Sequence, residues 1–395
     1  MHSSSRRNWI KKSALGIGAV AATPFTTWAN RVVIANETNS TFLHPETFPF
    51  NEFTPPYILP EKPLAILAWN ENPYGFSPMA LEAINESTSK ANRYGWQDLM
   101  GLKKVIAEKE GVNPSNIMLG PGSTDLLERT SVYCFRDGGN VISADPAYMS
   151  VISVAQASGA TWKAIKLTEN YEHDLEGMEL AMDKETKLVY IANPNNPTGS
   201  KTNRNDLYEF CAKVSKKAPV FVDEAYLEFS KNGLEDSMVD LVKKGKNVII
   251  SRTFSKIYGM AGMRCGYIVA HEDLITELSN FTIPGFGISS PTIIAAQVAL
   301  DDKEHLHKCR TDILEYRDIT IKYLITKNIN YIPSEANFVI FEINMDGTKF
   351  TEEMYNSGIV IRTFKFWDKT WCRVTIGTDD EMRVFFNAMD KIYRK

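Results

Sequence analysis

The chain has 395 residues, room for about two to three domains at roughly 150 residues each. Apolar residues make up 44% of it and charged residues 23%, which excludes a mainly disordered or collagen-like chain. With 44 basic against 48 acidic residues the net charge is −4, an argument against a general nucleic-acid or anionic-membrane surface. The five cysteines, Cys134, Cys211, Cys265, Cys309 and Cys372, are odd in number and form no CxxC pair. Neither a disulfide framework nor a cysteine zinc site is expected. The six histidines show no metal-ligand spacing, so no metal is expected.

The chain opens with Ser5-Arg6-Arg7-Asn8-Trp9-Ile10-Lys11-Lys12, followed by a mildly apolar run over 14–22 and by Thr27-Trp28-Ala29. Basic residues, a short apolar core and a small residue make a secretory signal. The paired arginines resemble the twin-arginine export signal, a route for proteins that are already folded. Residues 1–29 are therefore expected to be an address. They would send the protein to the periplasm or otherwise out of the cell, and it would stay cytoplasmic if they do not function. No later stretch of about 18 apolar residues is present to span a bilayer. Gly16-Ile17-Gly18-Ala19-Val20-Ala21 has the GxGxxA form, but basic residues precede it where a dinucleotide loop needs a strand. Residues 30–63, rich in Thr, Pro, Asn and Phe, read as an extended arm.

From Leu64 the pattern alternates. Ser77-Pro78 opens a helix over 77–90, N-cap first and Pro in the first turn. A second helix covers 99–109, a strand 117–119 and a helix 123–134. Apolar runs at 140–143, 161–167, 187–192, 220–222, 248–251 and 267–270 read as short buried strands with helical segments between most of them. Such alternation implies an α/β fold with a largely parallel sheet covered on both faces. After Pro284 the character changes. Helices over 292–299 and 305–327 precede strands at 338–342 and 373–376 and a last helix over 379–393, which together form a smaller α+β domain.

Three segments carry chemistry. Gly120-Pro121-Gly122-Ser123-Thr124-Asp125 is a glycine turn between a strand and a helix; it suits a phosphate, or is a plain turn. Asn193-Pro194-Asn195-Asn196-Pro197-Thr198-Gly199 follows an apolar strand, and the strand over 220–222 ends in Asp223-Glu224-Ala225-Tyr226. An amide, a carboxylate and a phenol thus reach the sheet edge where open α/β folds bind ligands. Ser251-Arg252-Thr253-Phe254-Ser255-Lys256 follows a third strand, with Arg264 eight residues past the lysine. A lysine among hydroxyls and an arginine can bind phosphate or form an imine. Pyridoxal phosphate needs this inventory: an amine for its aldehyde, an anion for its ring nitrogen, donors for its O3′ and a cradle for its phosphate.

The chain over 64–393 resembles the fold type I pyridoxal-phosphate aminotransferases, and within them the histidinol-phosphate aminotransferase branch. The likeness rests on Asn70-Glu71-Asn72-Pro73-Tyr74-Gly75, Asn92-Arg93-Tyr94, the NPNNPTG run, Asp223-Glu224-Ala225-Tyr226-Leu227-Glu228-Phe229 and Met263-Arg264-Cys265-Gly266-Tyr267. The resemblance implies that Lys256 forms the imine with the cofactor and that Asp223 pairs with its ring nitrogen. Tyr148 would stack on the ring, and Asn196 and Tyr226 would bond O3′. Ser123, Thr124, Thr253 and Arg264 would hold the phosphate, with Tyr94 reaching the phosphate of a partner subunit in a homodimer. Arg373 would clamp the substrate carboxylate, Arg362 would meet the far end of the substrate, and Asn72 and Tyr74 would line its site. The chain departs from the branch at Gly95-Trp96, at Ile257 and in the 283–290 segment.

The expected organisation is a signal over 1–29, an arm over 30–63, a large cofactor-binding domain over 64–285 and a small C-terminal domain over 286–395. The expected activity is a ping-pong transfer of an amino group between an amino acid and a 2-oxo acid. Its rivals are another pyridoxal-phosphate reaction on the same scaffold (decarboxylation, elimination or oxidation) and a non-catalytic module. The latter is disfavoured because the catalytic set is complete.

Overall fold

The computed structural model describes residues 51–53 and 62–393. The expected signal and most of the expected arm lie outside the described residues. In chain order the strands are β1 (Asn51–Phe53), β2 (Ala65–Ile66), β3 (Ile117–Gly120), β4 (Asn140–Asp145), β5 (Thr161–Lys166), β6 (Thr186–Ala192) and β7 (Val220–Asp223). They continue with β8 (Val248–Thr253), β9 (Gly266–Val269), β10 (Tyr331–Ile332), β11 (Phe338–Glu342), β12 (Ile359–Val360), β13 (Arg362–Phe366) and β14 (Lys369–Thr375).

Seven strands make the main sheet in the order β3-β9-β8-β7-β6-β4-β5. Strands β4 to β8 pair in parallel, and β9 runs antiparallel to both β3 and β8. The central strands β7, β8 and β9 are buried along their whole length, as a sheet covered on both faces requires. One expectation is corrected. The strand over 161–167 is not buried: β5 is a sheet edge with β4 as its only neighbour, and its residues are exposed or half-buried.

Local chemistry sets the helix starts. Ser77 Oγ accepts the Ala80 N–H at 3.1 Å, and Pro78 is the first residue of the Pro78–Thr88 helix. Thr378 and Glu381 form a reciprocal capping box at the head of the Asp379–Ile392 helix. That helix buries Met382, Phe385 and Met389 at helical spacing.

The second sheet, in the order β1-β13-β14-β11-β10, is antiparallel throughout. Its first strand comes from the expected arm, so part of that arm is a sheet edge. Strand β2 pairs with β12 in parallel, and the Ser290–Ala299 helix packs on the Pro78–Thr88 and Trp96–Glu110 helices. Packing therefore crosses the expected boundary after residue 285, and contacts group the described residues as one compact unit. A small apolar cluster of Ile332, Ile340, Phe364, Phe366 and Trp371 backs this sheet, with Trp371 stacked on Phe366 at 5.3 Å.

A buried ion cluster lies beside the ends of β7 and β8. Arg252 reaches Glu224 at 2.9 Å and Glu110 at 3.6 Å, and the Tyr267 hydroxyl donates to Glu110 at 2.7 Å. Burial pushes the Glu224 carboxyl up to about 7, against the pull of Arg252. Removing the cation strands buried carboxylates, which costs on the order of 3–5 kcal/mol. Arg252→Met is expected to lose about that much stability in denaturant or thermal unfolding. The deficit should shrink as pH falls from about 8 to about 5.5, because protonated carboxyls need no counter-charge. An unchanged midpoint would show that the cluster carries no stability.

Candidate active site

Strands β6, β7 and β8 are neighbours and parallel, so the segments that follow them meet at one sheet edge. A cavity of about 360 Å³ opens there. Lys256, three residues past β8, points its Nζ at the Trp69 carbonyl (3.0 Å) and lies 5.6 Å from the centre of the Tyr226 ring. Burial, and then Arg373, push its amine down to about 7. A substantial fraction is therefore neutral and nucleophilic near neutral pH.

Asp223 ends β7 directly beside Ser251 in the parallel ladder. Ser251 Oγ donates to its carboxylate at 2.6 Å and the Ala225 N–H donates at 3.2 Å. Burial pushes this carboxyl up, and the two hydrogen bonds oppose the shift. The Tyr226 hydroxyl accepts from Asn70 Nδ2 at 3.1 Å and from Asn196 Nδ2 at 3.5 Å. Burial lifts the phenol to about 12, so it keeps its proton and can donate to a ligand oxygen.

An anion cradle forms where the Ser123–Phe135 helix begins. No side chain caps this helix, and Ser123 and Thr124 line the cavity, so the N-terminal N–H groups suit an anion. Thr253, Ser255 and Arg264 line it too. Arg264 donates to Ser255 Oγ at 3.3 Å and to the Ala261 carbonyl at 2.9 Å. Gly122 has φ +89°, and a Cβ there would run into the Arg264 guanidinium; one on Gly266 would run into the Ser123 backbone nitrogen. Only glycine leaves this space open. Tyr148 stands at the cavity wall, its hydroxyl 3.3 Å from Thr124 Oγ1.

Arg362 and Arg373 face each other as direct partners in the β13–β14 ladder, and both line the cavity. Arg373 donates to Asn196 Oδ1 at 2.6 Å and to the Ala68 carbonyl at 2.8 Å. Burial lowers Arg373 to about 10, and burial together with Arg373 lowers Arg362 to about 9. Like charges opposite one another in a sheet repel. The cavity wall carries the cations Lys256, Arg264, Arg362 and Arg373 against the carboxylates Asp223 and Glu71. That excess fits a ligand with negative charge at both ends.

Two expected substrate residues are not brought into this cavity, and Tyr94, expected at the phosphate of a partner subunit, also lies outside it. Asn72 is buried but spends its amide on the Ile257 carbonyl, at 2.9 Å. Tyr74 turns away beneath Lys308, where burial and Asp312 raise its phenol to about 12. Tyr94 is 75% exposed and sits with Trp96 and Phe286 at a separate apolar hollow. Conversely Trp69, Asn70, Glu71 and Ser255 line the cavity, and Ser251 holds Asp223, without having been singled out for the site. Ser255 was legible as the hydroxyl beside the lysine; the others depend on register and loop path. Among the described residues no group of His, Cys, Asp and Glu side chains can hold a metal, and no helix is long and apolar enough to cross a membrane.

The amine, the carboxylate, the phenol and amide donors and the open glycine cradle fit pyridoxal 5′-phosphate group by group. Comparison with known proteins agrees. Residues 62–389 match the family described as aminotransferase class I and II. The chain is 36% identical over 333 residues to histidinol-phosphate aminotransferase 2 of Haemophilus influenzae strain 86-028NP, covering 83% of this chain and 89% of that protein. It is 35% identical over 329 residues to histidinol-phosphate aminotransferase of Moorella thermoacetica, covering 82% and 84%. The crystal structure of the Sinorhizobium meliloti histidinol-phosphate aminotransferase with pyridoxal-5′-phosphate superposes with a TM-score of 0.77 at 27% identity, over 84% of this chain and 92% of that one. The chain belongs to the class I and II aminotransferase family and is a pyridoxal-phosphate-dependent aminotransferase of the histidinol-phosphate aminotransferase type.

Proposed function

We propose that this aminotransferase works outside the cytoplasm as a homodimer, on an amino substrate and a 2-oxo acid that each carry an anionic group. The observation behind the substrate class is the Arg362–Arg373 pair on the cavity wall that also holds Lys256. Pyridoxal phosphate, when bound, supplies a ring that accepts the electrons of a broken Cα bond. Asp223 then keeps the proton on the ring nitrogen, while Asn196 and Tyr226 hold the ring oxygen. Ser123, Thr124, Thr253, Ser255 and Arg264 hold the phosphate. Lys256 Nζ, with its amine lowered to about 7, moves the Cα proton as a base matched to neutral pH.

The relatives are named for histidinol phosphate, an amine whose anion is a phosphate ester. An arginine fork takes a carboxylate or a phosphate in two-point fashion, so the pair suits that compound or an amino acid with an anionic side chain. Tyr94, Trp96, Phe281, Ile283 and Phe286 are large, exposed and apolar; that exposure supports the dimer reading, in which a second copy would cover them. Export rests on Arg6-Arg7 ahead of Trp9, with the periplasm as the destination.

Each part of the proposal has a test. Borohydride should fix the cofactor covalently on Lys256, and Lys256→Ala should fold yet lose the yellow colour and turnover. Peptide mapping that finds the cofactor on another lysine would remove the assignment.

Arg373→Ala should weaken both half-reactions by roughly a hundredfold, since losing a buried bidentate partner costs on the order of 3 kcal/mol. Arg373→Lys should recover little. Arg362→Ala should be severe only for substrates with an anionic or strongly polar distal group. Equal losses in stopped-flow half-reactions with one anionic and one neutral donor would end its role as a reader of the far end.

Replacing Arg6 and Arg7 together by lysine should hold the protein in the cytoplasm, because a guanidinium pair is not replaced by ammonium groups. Normal export of that variant would contradict the twin-arginine reading.

A further inference from the structure

The short segment that crosses the cavity rim at residues 68–72 is tied down along its whole length. The Ala68 carbonyl accepts from Arg373 Nη2 at 2.8 Å, and the Asn70 N–H donates to Thr375 Oγ1 at 2.9 Å. The Asn70 carbonyl accepts from Asn337 Nδ2 at 3.0 Å. Asn70 itself sits at φ +56°, a left-handed conformation that such anchoring sustains. The segment then grips Lys256 and its neighbour Ile257. The Trp69 carbonyl takes the amine at 3.0 Å, and Asn72 Nδ2 donates to the carbonyl of Ile257, the very next residue, at 2.9 Å.

Glu71 lies between these two grips and lines the cavity. Its carboxylate shares the cavity wall with Lys256 and favours charge on it, and among the described residues it makes no side-chain hydrogen bond or ion pair. Asp223 already accepts from Ser251 and Ala225 and is the partner of the cofactor ring. We infer that residues 69–72 are a positioning clamp for Lys256, in which the Trp69 carbonyl holds the amine whenever it is free of the cofactor and the Glu71 carboxylate stabilises its protonated form. The inference rests on the reading of Lys256 as the cofactor-linked amine.

The charges around the amine give Glu71 something to do. Arg373 on β14 and Arg264 in the turn before β9 disfavour an ammonium at Lys256, Asp223 on β7 and Glu71 favour one, and the Tyr226 ring lies alongside. Burial and Arg373 already lower the amine to about 7. A lysine that must hold a proton between taking it from one carbon and giving it to the next needs a counter-charge close by. With Asp223 occupied by the cofactor ring, Glu71 is the carboxylate of the cavity wall left to supply it. Glu71 belongs to the same segment that holds the Ile257 carbonyl, next to Lys256, through Asn72, so position and charge are set together. It is a positioning residue: it acts through Lys256, not on the substrate.

The test uses the enzyme loaded with pyridoxamine 5′-phosphate, the form in which Lys256 is free. Brief acetic anhydride labelling across a pH series, with mass-spectrometric readout of the Lys256 peptide, gives the titration midpoint of this one amine. Removing a nearby carboxylate favours the neutral amine. Glu71→Gln should therefore move the midpoint down by about one pH unit, which makes the amine roughly tenfold more reactive below the wild-type midpoint. Glu71→Asp, which keeps the charge, should stay close to wild type. In turnover, Glu71→Gln should lower kcat with little change in KM. An unchanged midpoint in Glu71→Gln, or a loss confined to KM, overturns the inference. Borohydride mapping of the pyridoxal-phosphate form of the same variants separates the two readings. Cofactor on a different lysine removes the proposed function, whereas cofactor on Lys256 with an unmoved midpoint removes the clamp alone.

Discussion

A buried arginine, Arg373, directly opposite a half-buried one, Arg362, in one antiparallel ladder is an arrangement that a sheet does not favour on its own account. Burial lowers both guanidinium groups, and Arg373 lowers Arg362 further, so the pair suits an anionic ligand. The rest of the site is arranged around that demand. Strand β14 carries Arg373, whose two donors tie Asn196 on one side to the Ala68 carbonyl on the other. One guanidinium thus braces the loop after β6 and the segment that holds Lys256, while leaving an edge toward the cavity. The packing of the second sheet, with Arg373 over the Phe338 and Phe364 rings at 5.3 Å, holds that planar fork in place.

The main sheet solves a different problem, that of keeping a carboxylate and an amine at the same edge with different proton affinities. Parallel pairing brings Asp223 and Ser251 side by side, and a short hydrogen bond keeps the carboxylate supported despite its burial. Lys256 follows three residues after the same strand as Ser251, so its amine meets the cavity above that pair. Residues next in line, Glu224 and Arg252, pair with each other at 2.9 Å and fasten the two strands together. Alternation along β7 and β8 thus separates a reactive set of side chains from a structural one.

Much of this was legible in the chain. Apolar runs at 187–192, 220–222 and 248–251 ending in polar motifs placed Asn196, Asp223 and Lys256 at one sheet edge, since parallel strands share their carboxyl ends. The two-residue strands β2, β10 and β12 carry too few residues to show a period. Strand β5 was misjudged because Trp162, Ala164 and Ile165 look like core, while its place at the sheet edge depends on topology. Asn72 and Tyr74 were taken for substrate contacts from their motif. The direction of their side chains follows from how the segment is tied to Ile257 and lies against the Lys303–Thr326 helix. Trp69, Asn70 and Glu71 enter the site through contacts with residues more than 150 positions away, a distance over which a single sequence carries no register.

The most direct measurement follows the amino group itself. The purified enzyme would be given an amino donor labelled with heavy nitrogen, freed of excess donor, and then given an unlabelled 2-oxo acid. An aminotransferase built as described keeps the label on the enzyme after the first step and delivers it to the new amino acid in the second, with neither ammonia nor carbon dioxide released. Release of ammonia or carbon dioxide in the first step, or turnover that needs no 2-oxo acid, would contradict the account.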